Sequence, residues 1–75
     1  MPRRAKSEPS RDRVVRRVYA RRVELALTQQ ALGDLAGLHR TYVGAIERGE
    51  VNVSLDNLDR LAAALKIDAS ALVQP

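Results

Sequence analysis

A chain of 75 residues with a net charge of +4 has room for one small domain. It has no Cys and one His, which excludes disulfides and thiolate metal sites and leaves no zinc ligand set. With no Phe, no Trp and two Tyr the core must be aliphatic, and no apolar run suits a membrane span or a signal peptide.

The charge is uneven. Residues 1–22 carry nine Arg or Lys against two acids, and residues 23–75 carry four against seven. Eleven of the thirteen basic residues are Arg, whose planar guanidinium matches phosphate. Basic ends of this kind attract polyanions at long range. Residues 1–9, MPRRAKSEP, contain two Pro and little that is apolar, and read as a flexible tail. It is either a basic arm for DNA backbone or an unstructured leader. Residues 10–75 form the folded domain.

The first helix is expected to start with Ser10 as N-cap and Asp12 in its first turn, and to run to Leu25 or Ala26. Val14, Val18 and Leu25 share one face, with Val15 and Tyr19 beside it. Arg13, Arg16, Arg17 and Arg21 then point mostly to water. A cationic amphipathic helix can bind a membrane surface. The apolar stripe is narrow, however, and a second amphipathic array follows, so a solvated basic face on a core helix fits better.

Residues 28–49, TQQALGDLAGLHRTYVGAIERG, hold two short helical patterns with a tight break. Thr28 is the N-cap of the first, and Leu32, Leu35 and Ala36 share its face. Gly37 supplies the left-handed residue that ends it, and Leu38 plugs the turn. The next helix starts near His39 or Arg40, faces Val43 and Ile46 inward and is closed by Gly49. Helices of about two turns are unstable alone and must be packed on their neighbours. Two such helices joined through Gly are the sequence form of a helix-turn-helix. Gly33 fits this reading, because a side chain larger than Ala would hold the helices apart. The outer side of the second helix presents Arg40, Thr41, Tyr42, Gly44 and Ala45, a polar start followed by a nearly bare surface.

After the alternating loop Glu50-Val51-Asn52-Val53, Ser54 caps a fourth helix with Asp56 in its first turn. Leu55, Leu58, Leu61, Ala62 and Leu65 form its apolar face. Asp68 caps a last short helix carrying Leu72 and Val73. Leu65, Ile67, Leu72 and Val73 near the C-terminus are either a protein–protein contact or the lower cap of the bundle. The total is an all-α chain of five helices.

Leu27-Thr28-Gln29-Gln30 with Leu32, Gly37-Leu38, and Val43, Ile46, Glu47, Arg48 and Gly49 resemble the phage repressor and Cro-type helix-turn-helix family. The likeness continues through Asn52-Val53-Ser54-Leu55-Asp56-Asn57-Leu58 to Leu65 and covers about residues 12–73. Within that family the chain is similar to the controller proteins of restriction–modification systems, through Arg-Thr-Tyr early in the third helix, Glu-Arg at its end and Asn before the fourth. The resemblance implies a compact lambda-repressor-like domain. It also implies a homodimer formed through Leu65, Ile67, Leu72 and Val73, and binding to palindromic double-stranded DNA with the third helix in the major groove. Arg40 can donate two hydrogen bonds to a guanine edge, and Thr41 can bond a base or pack on a thymine methyl. Tyr42 would contact a phosphate or stack at a deformable step. His39 would contact phosphate or cap its helix. Gln29 stands where family members clamp a phosphate at a helix N-terminus, and Arg48 and Asn52 where they touch backbone. Arg22 and Glu47 match a structural ion pair tying the first helix to the third. Ala31 stands where the family often has an acid, and Gly33 where Ala is commoner; the long basic start is not typical of the shortest controllers.

The chemistry implied is regulation without catalysis, cofactor or metal, since one His, no Cys and no clustered carboxylates leave nothing to build an acid–base site. A controller bound upstream of a promoter could touch RNA polymerase, and one bound over it would block it. The expected location is the cytoplasm of a bacterial or phage-infected cell, at the nucleoid, with no membrane contact. The alternative function is an antitoxin-like protein of the same fold that binds a toxin and autoregulates its operon.

Overall fold

Five helices succeed one another in the computed structural model, which describes residues 9–75: α1 (Ser10–Glu24), α2 (Gln29–Ala36), α3 (Arg40–Glu47), α4 (Leu55–Leu65) and α5 (Ala69–Val73). No strand occurs among the described residues. The tail assigned to residues 1–9 lies outside the described residues except for Pro9.

Pro9, rather than Ser10, is the N-cap of α1, with no side-chain cap bond. Its ψ of 145° keeps it outside the helix while its carbonyl accepts from the Arg13 N–H at 3.0 Å, so Ser10 is the first helical residue. The Thr28 hydroxyl accepts from the Ala31 N–H at 2.9 Å, and Ser54 Oγ from the Asn57 N–H at 3.1 Å. Asp68 holds the N-cap place of α5 without a side-chain cap bond.

Four helices end by the same device, in which a residue of positive φ turns the chain and the next N–H reaches back five positions. Gly37 (φ 72°) is followed by Leu38, whose N–H donates to Gly33 O at 2.8 Å, and Gly49 (φ 71°) by Glu50, which donates to Ala45 O at 2.9 Å. Ala26 (φ 58°) and Lys66 (φ 60°) take the same conformation, with Leu27 donating to Arg22 O at 3.0 Å and Ile67 to Ala62 O at 3.1 Å. For these two the left-handed backbone costs about 1–2 kcal/mol. Ala26 thus ends α1 by strained turning, which sequence signals centred on Gly cannot reveal.

The core is aliphatic: Val14 and Val18 of α1, Leu32 and Ala36 of α2, Val43 and Ile46 of α3, Leu58, Leu61, Ala62 and Leu65 of α4, and Leu72 of α5. Two leucines expected in it are outside. Leu35 is 62% exposed because α2 rotates its Gly33 side toward α3, which carries Leu35 off the far edge of the buried arc. Leu55, at 78%, is the first residue of α4, before that helix reaches the core. Conversely, Leu65 and Leu72, expected at a dimer interface, are fully buried in the chain's own core. Ile67 packs partly against that core, and Val73 is exposed.

The basic face of α1 is also not simply solvated. Arg13 Nε donates to Val73 O at 3.0 Å, Arg17 Nη1 to Ala71 O at 3.0 Å and to Gln74 O, and Arg21 Nε to Leu65 O at 2.9 Å. Residues four apart lie one above another on a helix, so these three guanidiniums form a ladder. Their partners are the carbonyls left without intrahelical donors at the ends of α4 and α5. The ladder fastens the C-terminal helix to α1.

Candidate nucleic-acid interface

The approach of α2 to α3 is set by Gly33. A Cβ built there would lie 2.4 Å from Leu38 O, 3.3 Å from Arg40 N and 3.5 Å from the carbonyl carbon of His39. The crowding is therefore with the turn backbone, and even an Ala methyl does not fit. The turn presses α3 onto α2 and aims its first residues outward.

At that end, His39 Nδ1 accepts from the Thr41 N–H at 3.0 Å, so His39 is the N-cap of α3. Arg40 and Thr41 are exposed. At about 100° per residue, Arg40, Thr41, Gly44 and Arg48 fall on one side of α3. With Gln29 of α2 they line a shallow, open cleft of about 290 Å³. Gly44 is its floor and is buried, not part of an exposed bare surface, because the Gln29 and Arg48 side chains lie over it. A Cβ on Gly44 would lie 3.0 Å from Arg48 Nη1 and 3.3 Å from Gln29 Oε1.

Tyr42 is turned away from this cleft. It is half-buried, packs against the core and accepts at its hydroxyl from Asn57 Nδ2 at 3.1 Å, which ties α3 to α4. The expected outward Tyr42 is thus a side strut: two residues beyond Arg40 the helix has rotated past its outer face. Arg48 Nε donates to Glu50 Oε2 at 3.0 Å, both side chains being more than half exposed. The hydrogen bond raises the Arg48 pKa and holds the Glu50 carboxyl below its ordinary value. Asn52, exposed in the following loop, accepts at Oδ1 from Arg11 Nη1 at 3.2 Å. Glu50 and Arg11 were not singled out from the sequence; only the proximity of Glu50 to Arg48 was available to find the first.

Behind the cleft, Arg22 and Glu47 meet in a two-point pair, Nε to Oε2 at 2.7 Å and Nη2 to Oε1 at 3.0 Å. Their side chains are 13% and 5% exposed. Glu47 Oε1 also accepts from Gln29 Nε2 at 3.0 Å, and Arg22 Nη1 donates to Leu27 O at 2.7 Å. The guanidinium carbon lies 5.2 Å from the centre of the Tyr19 ring. The bonds to Glu47 outweigh desolvation and raise the Arg22 pKa, so this cation is permanent. Gln29 is thereby oriented by Glu47: one amide hydrogen is committed inward, while its oxygen faces α3.

The arrangement carries an exposed Arg-Thr step at a helix start, two guanidiniums beside a shallow cleft, and a part-buried charge network bracing both helices from behind. The helix-turn-helix family matches residues 18–72. The chain belongs to this family. Control protein C.SmaI of Serratia marcescens is 47% identical over 47 residues, covering 63% of this chain and 56% of the relative. The solved restriction–modification controller protein C.AhdI of Aeromonas hydrophila superposes with a TM-score of 0.78 at 43% identity, covering 80% of this chain and 91% of that one. The P22 c2 repressor, solved in complex with a synthetic operator, gives 0.76 at 31% identity, covering 81% and 92%. This helix-turn-helix chain spans about half the length of the first curated relatives it matches. Among the described residues no helix is long and apolar enough to cross a membrane.

Proposed function

We propose that this chain is a sequence-specific DNA-binding transcription regulator that acts as a homodimer on an inverted-repeat operator and controls a restriction–modification system. The observation that carries the reading is the exposed Arg40–Thr41 step at the start of α3, beside a cleft floored by Gly44. A helix start of this shape can enter a major groove, where Arg40 meets a guanine edge and Thr41 its neighbour. Arg48 and Asn52 reach backbone phosphates at the end of α3, and Gln29 does so at the start of α2. Tyr42 and His39 act indirectly, the first by fixing α3 on α4 and the second by capping it. The likeness to C.SmaI and C.AhdI supports the controller role over toxin capture.

In the dimer, Ile67 and Val73 supply contact, while Leu65 and Leu72 support it from the core. RNA polymerase is a partner where the operator lies beside a promoter. The regulator works in the cytoplasm at the nucleoid, and no catalytic step is assigned to it.

The test is Arg40→Ala on the operator, found by footprinting the DNA upstream of the gene. Binding should weaken by about 1–3 kcal/mol, with preference relaxed at one base pair per half-site. Equal loss on operator and random DNA would reduce Arg40 to a phosphate contact.

A further inference from the structure

One contact extends the interface past the segment that the family covers. Arg11 lies before residues 18–72, in the first turn of α1, yet its Nη1 donates to Asn52 Oδ1 at 3.2 Å across 41 residues of chain. Asn52 follows α3 directly in the loop that leads to α4.

The geometry of α1 explains the meeting. Arg11 and Arg22 are eleven residues apart, which on a helix brings them within about 20° of the same face, about 16 Å apart along the axis. Arg22 touches Glu47 at the end of α3, and Arg11 touches Asn52 further along the same strand of chain. One row of α1 therefore runs beside α3 and the loop after it. Its two ends are opposite in character. Arg22 is part-buried against a carboxylate, whereas Arg11 is exposed and bonds a neutral amide. No carboxylate pairs with Arg11 among the described residues, and its guanidinium lies exposed beside the loop.

We propose that Arg11, positioned by Asn52, is a further phosphate clamp, reaching the DNA backbone beyond the end of α3. This rests on the DNA-binding reading above. The amide of Asn52 holds the guanidinium by one nitrogen and leaves the other face of its fork for a phosphate oxygen. Such a contact carries no base information, so it adds equally to binding on any duplex.

The experiment is a salt titration of the full chain on a mixed-sequence duplex of about 30 base pairs, by fluorescence anisotropy, with melting midpoints measured in parallel. Arg11→Gln keeps a donor for Asn52 and removes the charge. It should weaken binding by about 3–10-fold at low salt and flatten the log–log salt slope by about 0.9, with the melting midpoint unchanged. Arg11→Lys should keep the slope. A slope unchanged in Arg11→Gln overturns the clamp, as does a loss traced to a lower melting midpoint, which would make Arg11 a strut for the loop. A wild-type chain without salt-dependent binding would instead remove the DNA-binding reading itself, and the clamp with it.

Discussion

Glu47→Gln removes one charge and one acceptor from behind the candidate surface while leaving the shape almost unchanged. Three donors aim at the two carboxylate oxygens: Nε and Nη2 of Arg22 and Nε2 of Gln29. An amide at position 47 offers one oxygen, so its own nitrogen must face a donor. The Arg22 guanidinium, 13% exposed, is then left without its counter-charge. Removing one partner of a buried pair costs about 3–5 kcal/mol. Arg22 keeps its bond to Leu27 O and the introduced amide keeps one acceptor, so about 2–3 kcal/mol is expected. A domain of this size loses about 4–8 °C per kcal/mol, which places the fall in melting midpoint at about 10–20 °C. Circular dichroism melts and urea titrations would read it. The double variant Arg22→Met, Glu47→Leu should recover much of the loss, since an apolar pair of similar volume often replaces a buried ion pair without penalty. At a temperature where Glu47→Gln is folded, its ratio of operator to random binding should equal that of the wild type. An unchanged melting midpoint, or a double variant as unstable as the two single changes combined, would refute this account of the pair.

Gly33→Ala should destabilise despite the better helix propensity of Ala, which favours it by up to about 1 kcal/mol. The added methyl meets Leu38 O at 2.4 Å, a backbone atom that cannot swing aside. Overpacking of this kind costs about 1–3 kcal/mol, so a net loss of about 1 kcal/mol is expected in urea denaturation; equal or higher stability would contradict it. Ala26→Gly should do the opposite. Position 26 is exposed with φ 58°, and relief of the left-handed strain, offset by the greater freedom of Gly in the unfolded chain, should stabilise by about 0.5–1 kcal/mol. A lower melting midpoint would show that the strain is not where the backbone puts it.

The helix starts at Thr28 and Ser54 and the stops at Gly37 and Gly49 were legible because capping is local chemistry: the donor, the acceptor and the special φ lie within a few residues. The helix-turn-helix was legible for the same reason, since its turn residues are contiguous. Ala26 and Lys66 were not, because they carry no sign of the conformation imposed on them. At the candidate site, Arg40 and Thr41 could be named from their place at a helix start, whereas the bonds from Arg11 to Asn52, Gln29 to Glu47 and Asn57 to Tyr42 join distant residues.

Periodicity, composition and charge specified that the chain is helical, aliphatic-cored and basic at one end. They could not specify how far each helix is rotated about its axis. That rotation exposes Leu35, buries Leu65 and Leu72, and turns Tyr42 toward α4. It likewise sends Arg13, Arg17 and Arg21 to carbonyls of α4 and α5 instead of water. An amphipathic stripe is wider than the arc a neighbour can cover, so the packing of all five helices together selects which of its members are enclosed.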